Sequence, residues 1–180
     1  MKIRNFCITN DEKAALSQLK GKKIVALVST GSETASDEDV FIRTEESDVR
    51  FHNTEKVPPS FDPDLARAVI EAGPIGSFRI SWAKNEPENP WDETYWSIIR
   101  IDKIVRRISI YNCEENDSDC DGNEFLDRDT ALIVFHFDDA CLVLQHNLIS
   151  IMWTMSYQDN PEVDFDKLFV IDGKVTKEVL

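Results

Sequence analysis

The apolar residues of this chain arrive in short, β-branched runs divided by brief polar links, and that punctuation constrains the fold more than any single motif. Lys22 to Thr30, KKIVALVST, is too short and too continuously apolar for an amphipathic helix and suits a central strand. Val40 to Thr44 and Val49 to Asn53 flank a polar link, Glu45-Glu46-Ser47-Asp48, and read as a hairpin. Between Ser77 and Ala83 the residues Phe78, Ile80 and Trp82 alternate with Ser77, Arg79 and Ser81, the period of a half-buried strand. Tyr95 to Ile101 and Ile104 to Tyr111 read as two strands broken at Asp102 and Lys103. Thr130 to Phe137 pairs with Cys141 to Gln145 around Asp138, Asp139 and Ala140, and Lys167 to Ile171 pairs with Lys174 to Glu178 around Asp172-Gly173. Leu148 to Tyr157 fits a strand face through Ile149, Ile151, Trp153 and Met155 and a helix stripe through Leu148, Ile151, Met152 and Met155; the strand is favoured.

Two helices are expected beside these strands. Thr9 and Glu12 have capping-box spacing ahead of Ala14, Ala15, Leu16 and Leu19, with Gly21 as the stop, which predicts a helix over 10–20. Asp62 as N-cap, Pro63, a stripe of Leu65, Val69 and Ile70, and then Gly73-Pro74 predict a second over 63–72. Because short polar links favour antiparallel neighbours, the expected fold class is α+β: a single domain over 1–180, mostly antiparallel sheet, with two short helices.

Charge narrows the function classes. Asp and Glu total 34 against 20 Lys and Arg, a net charge of -14, which repels nucleic acid and anionic membranes and attracts a basic protein or a cation. Cys7, Cys113, Cys120 and Cys141 show no metal-type spacing, and neither a signal peptide nor an uninterrupted apolar span is present, so a cytoplasmic location with free thiols is expected. Ala140 to Gln158 carries no formal charge, but Gln145, His146 and Asn147 interrupt it, which suits core strands better than a membrane span.

Three acidic clusters fall in expected loops: Asp37, Glu38 and Asp39; Glu45, Glu46 and Asp48; and Glu114, Glu115, Asp117, Asp119 and Asp121. Trp91 and Tyr95, near Pro87 and Pro90, add aromatic area of the kind that anchors interfaces. The stretch Asp117-Ser118-Asp119-Cys120-Asp121-Gly122-Asn123 resembles the first half of an EF-hand-type calcium loop, but Arg128 stands where that family places its bidentate Glu. No cofactor is therefore expected; calcium on Asp117, Asp119 and Asp121 is the alternative. His136 and Cys141 could oppose each other across their hairpin, the minimum for a nucleophilic dyad, without a recognisable third group. Familiar phosphate-binding, hydrolase and metalloprotease motifs are absent, so no enzymatic activity is expected. Arg100, Lys103, Arg106 and Arg107 run against the acidic trend; pairing with nearby carboxylates is the structural reading and a small anionic ligand the functional one.

In size, acidity, strand-helix mix and want of a catalytic signature, the chain resembles the bacterial toxin-immunity proteins, including those of contact-dependent growth inhibition systems. The resemblance implies inhibition by binding: carboxylates occupy the cationic groove of a secreted nuclease-type toxin. The expected partner-binding residues are the three acidic clusters with Trp91 and Tyr95. A metal-binding protein or enzyme using Asp117 to Asp121, or a subunit of a larger assembly, is the alternative.

Overall fold

The structure is a computed structural model that describes residues 1–30, 35–36, 39–54, 67–78, 96–118, 121–147, 152–165, 168 and 173–180. Its strands are β1 (Lys2–Phe6), β2 (Lys23–Thr30), β3 (Ala35–Ser36), β4 (Val40–Thr44), β5 (Ser47–Thr54), β6 (Arg67–Pro74), β7 (Trp96–Ile104), β8 (Arg107–Ser118), β9 (Glu124–His136), β10 (Cys141–Asn147), β11 (Met152–Gln158) and β12 (Lys174–Val179). A single helix, α1 (Asn10–Ser17), is found among the described residues. Its capping box forms as the sequence predicts, with Thr9 accepting from the Glu12 amide and Glu12 accepting from the Thr9 amide.

The strands make two sheets, one in the order β12-β8-β9-β10-β11-β3 and the other β6-β5-β4-β2-β7. All pairings are antiparallel except that of β1, which runs parallel to the first half of β9. The sheets face each other across a common core in which the Phe51 ring meets Phe135 edge-on at 6.3 Å and Trp153 at 5.7 Å. Each such fully buried aromatic or branched side chain contributes roughly 1.5–3 kcal/mol of apolar transfer free energy. Both outer faces carry smaller apolar clusters: Tyr111, Leu132, Val134, Cys141 and Val143 under Val163 and Leu168, and Ala26, Val28 and Phe41 against Phe78 and Ile98. The fold is thus a two-sheet, β-rich architecture rather than the expected α+β one.

The second predicted helix, 63–72, is the main correction. From Arg67 onward this segment is the edge strand β6, with Ala68 and Ile70 buried and Arg67, Val69 and Glu71 turned outward; residues 63–66 lie outside the described residues. Its eight-residue ladder with β5 outweighs a local helix preference amounting to a few tenths of a kcal/mol per residue. Gly73 ends the segment for a different reason from a helix stop, because a Cβ there would lie 2.2 Å from Ser77 Oγ in the turn that follows.

The expected break at Asp102-Lys103 is also displaced. β7 continues to Ile104, and Asp102, at φ 53°, occupies an irregularity in the β2–β7 ladder. The link to the other sheet is Val105-Arg106, where the Val105 amide bonds Lys22 O and the Arg106 amide bonds His136 O. Most of the expected strand 77–83, and the partner strand 167–171, lie outside the described residues. No helix among the described residues is long and apolar enough to cross a membrane.

Candidate partner-binding site

The stretch that sequence reading leaves as an acidic loop is mostly strand. β8 runs unbroken to Ser118 and pairs with β9 from Glu124, so Glu114, Glu115 and Asp117 become ladder residues on a long hairpin. Alternation puts Cys113, Glu115 and Asp117 on one face with their opposite numbers Asp129, Asp127 and Phe125. Glu115 therefore lies directly across from Asp127, a like-charged pairing that destabilises a sheet.

One cation sits inside this face. Parallel pairing brings Arg4 of β1 opposite Asp127, and its guanidinium, 4% exposed, donates to both Asp127 and Asp117 while lying 4.2 Å over the Phe125 ring. Glu114, on the opposite face, takes Arg128 at 2.8 Å and Lys174 at 3.7 Å. Asp129 has no such relief: burial first, then the charges of Glu115 and Asp127, push its carboxyl up to about 6 although its own amide offsets part of the rise. At the hairpin tip Met1, Asn116, Asp117, Ser118, Glu124 and Phe125 line a cavity of about 470 Å³. Apolar wall beside carboxylate is what the stem and head of a Lys or Arg side chain require.

The other clusters do not join this one. Asp48 is fully buried and structural, held by Arg43 at 2.5 and 2.6 Å and by the Gly76 amide at 2.9 Å. Glu46 pairs with Lys22 at 2.9 Å, which lowers its carboxyl below the usual range, and Glu45 is exposed beside it. Asp39 pairs with Arg50 at 3.0 Å and lies at the other end of the same sheet, since β2 and β4 align Ile24 with Thr44 and Ser29 with Val40. The Glu46 end adjoins the Val105 link and hence the His136 end of β9, whereas Glu124 stands about 40 Å away along that strand. Asp37, Glu38, Trp91, Tyr95 and Asp119 lie outside the described residues.

The metal reading loses its first ligand, because Asp117 is engaged by Arg4; Asp121 is exposed beside Gly122 in the turn. Among the described residues no group of three or more His, Cys, Asp or Glu side chains is placed to hold a metal ion.

Cys141 does oppose His136 across the hairpin, but the pair is set for packing. Burial, then the Glu162 charge, pushes the thiol up to about 11, far from a thiolate at neutral pH. The His136 ring meets partners that sequence reading misses: Nδ1 lies 2.5 Å from Pro161 O and 3.1 Å from Arg107 Nη2, and Nε2 lies 2.9 Å from Ser109 Oγ. An Nδ1–H tautomer donates to the carbonyl and accepts from the serine, and burial depresses the imidazole pKa so that it stays neutral. The exposed Arg107–Glu162 pair alongside helps pin the segment after β11 onto the sheet, while the His136 ring and Ser109 beneath it are buried. His146 bonds Asn53 Oδ1 at 3.0 Å under Trp153, and burial drives its pKa down to about 4. His52 approaches Glu71 at 3.5 Å.

Sequence reading misses Arg4, Glu124, Phe125, Asp127 and Asp129 as members of the acidic site. The signal was present in Glu124 to Asp129, EFLDRD, whose period-two alternation places Phe125, Asp127 and Asp129 on one face. The chain matches no family model, no curated protein and no solved structure.

Proposed function

We propose that this chain is a binding module for a basic protein, and that the acidic end of the β8–β9 hairpin, with β1 beside it, is the contact surface. The observation that carries this is the cross-strand placement of Glu115 against Asp127 beside Asp129, with Arg4 consumed inside by Asp127 and Asp117. A sheet gains nothing in stability from like charges stacked across its rungs, whereas a cationic partner would turn that cost into attraction. Glu115 and Glu124 are exposed, and among the described residues neither has a basic partner. The tip cavity adds a place for one basic side chain to anchor. The net charge of -14 supports fast, salt-sensitive encounter with such a partner. In its sharper form the function is that of a toxin-immunity protein, with this hairpin end occupying the cationic groove of a nuclease-type toxin.

Inhibition of basic nuclease domains, beginning with one encoded beside the chain, tests this directly. The native chain is expected to inhibit stoichiometrically. The paired reversal Glu115→Lys with Glu124→Lys should fold, since lysine at 115 relieves a like-charged pair, and weaken inhibition about 100-fold, equivalent to about 2.7 kcal/mol. Glu45→Lys with Glu46→Lys, at the far end of the molecule, should change it less than about threefold. Equal losses from the two pairs, or none from the first, would contradict the assignment.

A further inference from the structure

The two sheets do not close along the side where β7 lies over β10 and β11. Leu27, Ile99, Ile101, Leu142, Met155 and Tyr157 line a cleft of about 290 Å³ there, continuous with the apolar core yet open at one side. Protein cores ordinarily pack without such gaps, and an apolar space of this size is a poor host for water, which needs polar partners. The cleft lies at the small end of the range for ligand pockets.

Its chemistry is divided. The interior is aliphatic, from Leu27, Ile99, Ile101, Leu142 and Met155, while polar groups gather where the strand ends meet. Tyr157, 40% exposed, stacks on Phe137 and stands close enough to the Lys103 ammonium to favour its charge, and Ser156 completes the rim. Lys103 also holds Asp139 at 2.7 Å to both carboxylate oxygens, but that aspartate is 68% exposed. An ion pair so accessible to water contributes little, so one carboxylate can replace another on the ammonium at small cost. Because β7 runs on through Lys103, the ammonium stands beside Tyr157 at the edge of the cleft, outside its aliphatic lining.

From this division of an aliphatic slot and a lysine–tyrosine rim, we infer that the cleft binds a small anionic amphiphile, a medium-chain aliphatic carboxylate, with its tail between the sheets and its carboxylate on Lys103 and Tyr157. The site is separate from the acidic hairpin end and independent of the function proposed for it. The molecule's net negative charge disfavours anions in general, so retention of this one depends on the local pair and the apolar slot together.

Octanoate is the probe, titrated into the full chain carrying ¹³C-labelled Ile, Leu and Met methyl groups, with octanol and octylammonium in parallel. Saturable shifts confined to Leu27, Ile99, Ile101, Leu142 and Met155 are expected for octanoate, with weaker binding of octanol and least of octylammonium. Lys103→Met should weaken octanoate roughly tenfold, the loss of one charge-assisted hydrogen bond, and leave octanol unchanged. Ile99→Trp, at a half-buried wall position, should fill the cleft and abolish binding of all three. Absence of saturable octanoate shifts in the native chain, shifts spread over both outer faces, or equal binding of octanoate and octylammonium would overturn the inference whether or not the variants fold.

Discussion

The two ends of β9 are built on opposite rules although one strand carries both. From Ala131 to His136 every side chain is buried, and the polar member, His136, is neutral and bonded at both ring nitrogens. From Glu124 to Asp129 the same strand, against the same neighbour β8, crowds carboxylates around Arg4 and leaves Asp129 titrating near 6. The first end follows the rule that buried polar groups are satisfied or neutral, which is where stability comes from. The second departs from it, and such departures concentrate where a surface serves something other than its own fold.

The largest effect that separates the two ends is expected at Arg4. Arg4→Met leaves Asp127, and in part Asp117, buried against each other without a cation, and should cost about 3–5 kcal/mol by denaturant unfolding at pH 7. A loss below about 1 kcal/mol would mean that the acidic end is solvated and not strained.

A smaller effect, opposite in sign, is expected at Asp129. Its folded pKa, near 6, exceeds its unfolded value of about 3.8, so the group destabilises the fold fully above pH 6 and that cost is relieved as pH falls toward 4. Asp129→Asn should therefore stabilise by about 2–3 kcal/mol at pH 7.5 and by almost nothing at pH 4. His146 works the other way: its pKa near 4 lies below the unfolded 6.5, so its contribution is complete above pH 6.5 and lost as pH falls toward 4. The native chain should accordingly show a shallow stability profile between pH 4 and 6.5, which the Asp129→Asn variant converts into a clear rise with pH.

The same contrast explains what could be read from the sequence. Segments with local punctuation were legible: the Thr9–Glu12 box, the KKIVALVST strand, the hairpin at 45–48, and the register that sets His136 against Cys141. Residues 63–72 were misread because Asp62, Pro63 and Gly73 imitate helix boundaries, while the choice of strand is made by pairing with β5, a contact invisible to local pattern. The antiparallel character of the sheets was legible and their division into two facing layers was not, since that depends on which strands share the core. At the site, Glu114, Glu115 and Asp117 were recognised as acidic, but an acidic run looks the same in a loop and in a ladder. What makes them unusual comes from Asp127 and Asp129, brought opposite by the hairpin, and from Arg4, more than a hundred residues earlier in the chain.

The most direct measurement of an uncompensated acidic end is a ¹³C titration of the side-chain carboxyl groups, free and bound to a basic nuclease domain. Asp129 should titrate near 6 in the free chain and shift downward in the complex as the partner's cations neutralise Glu115, while Asp138, already paired with Arg106, should stay below the usual carboxylate range in both. Titration of Asp129 with the ordinary carboxylates, or a midpoint that the bound nuclease leaves unmoved, would contradict the account.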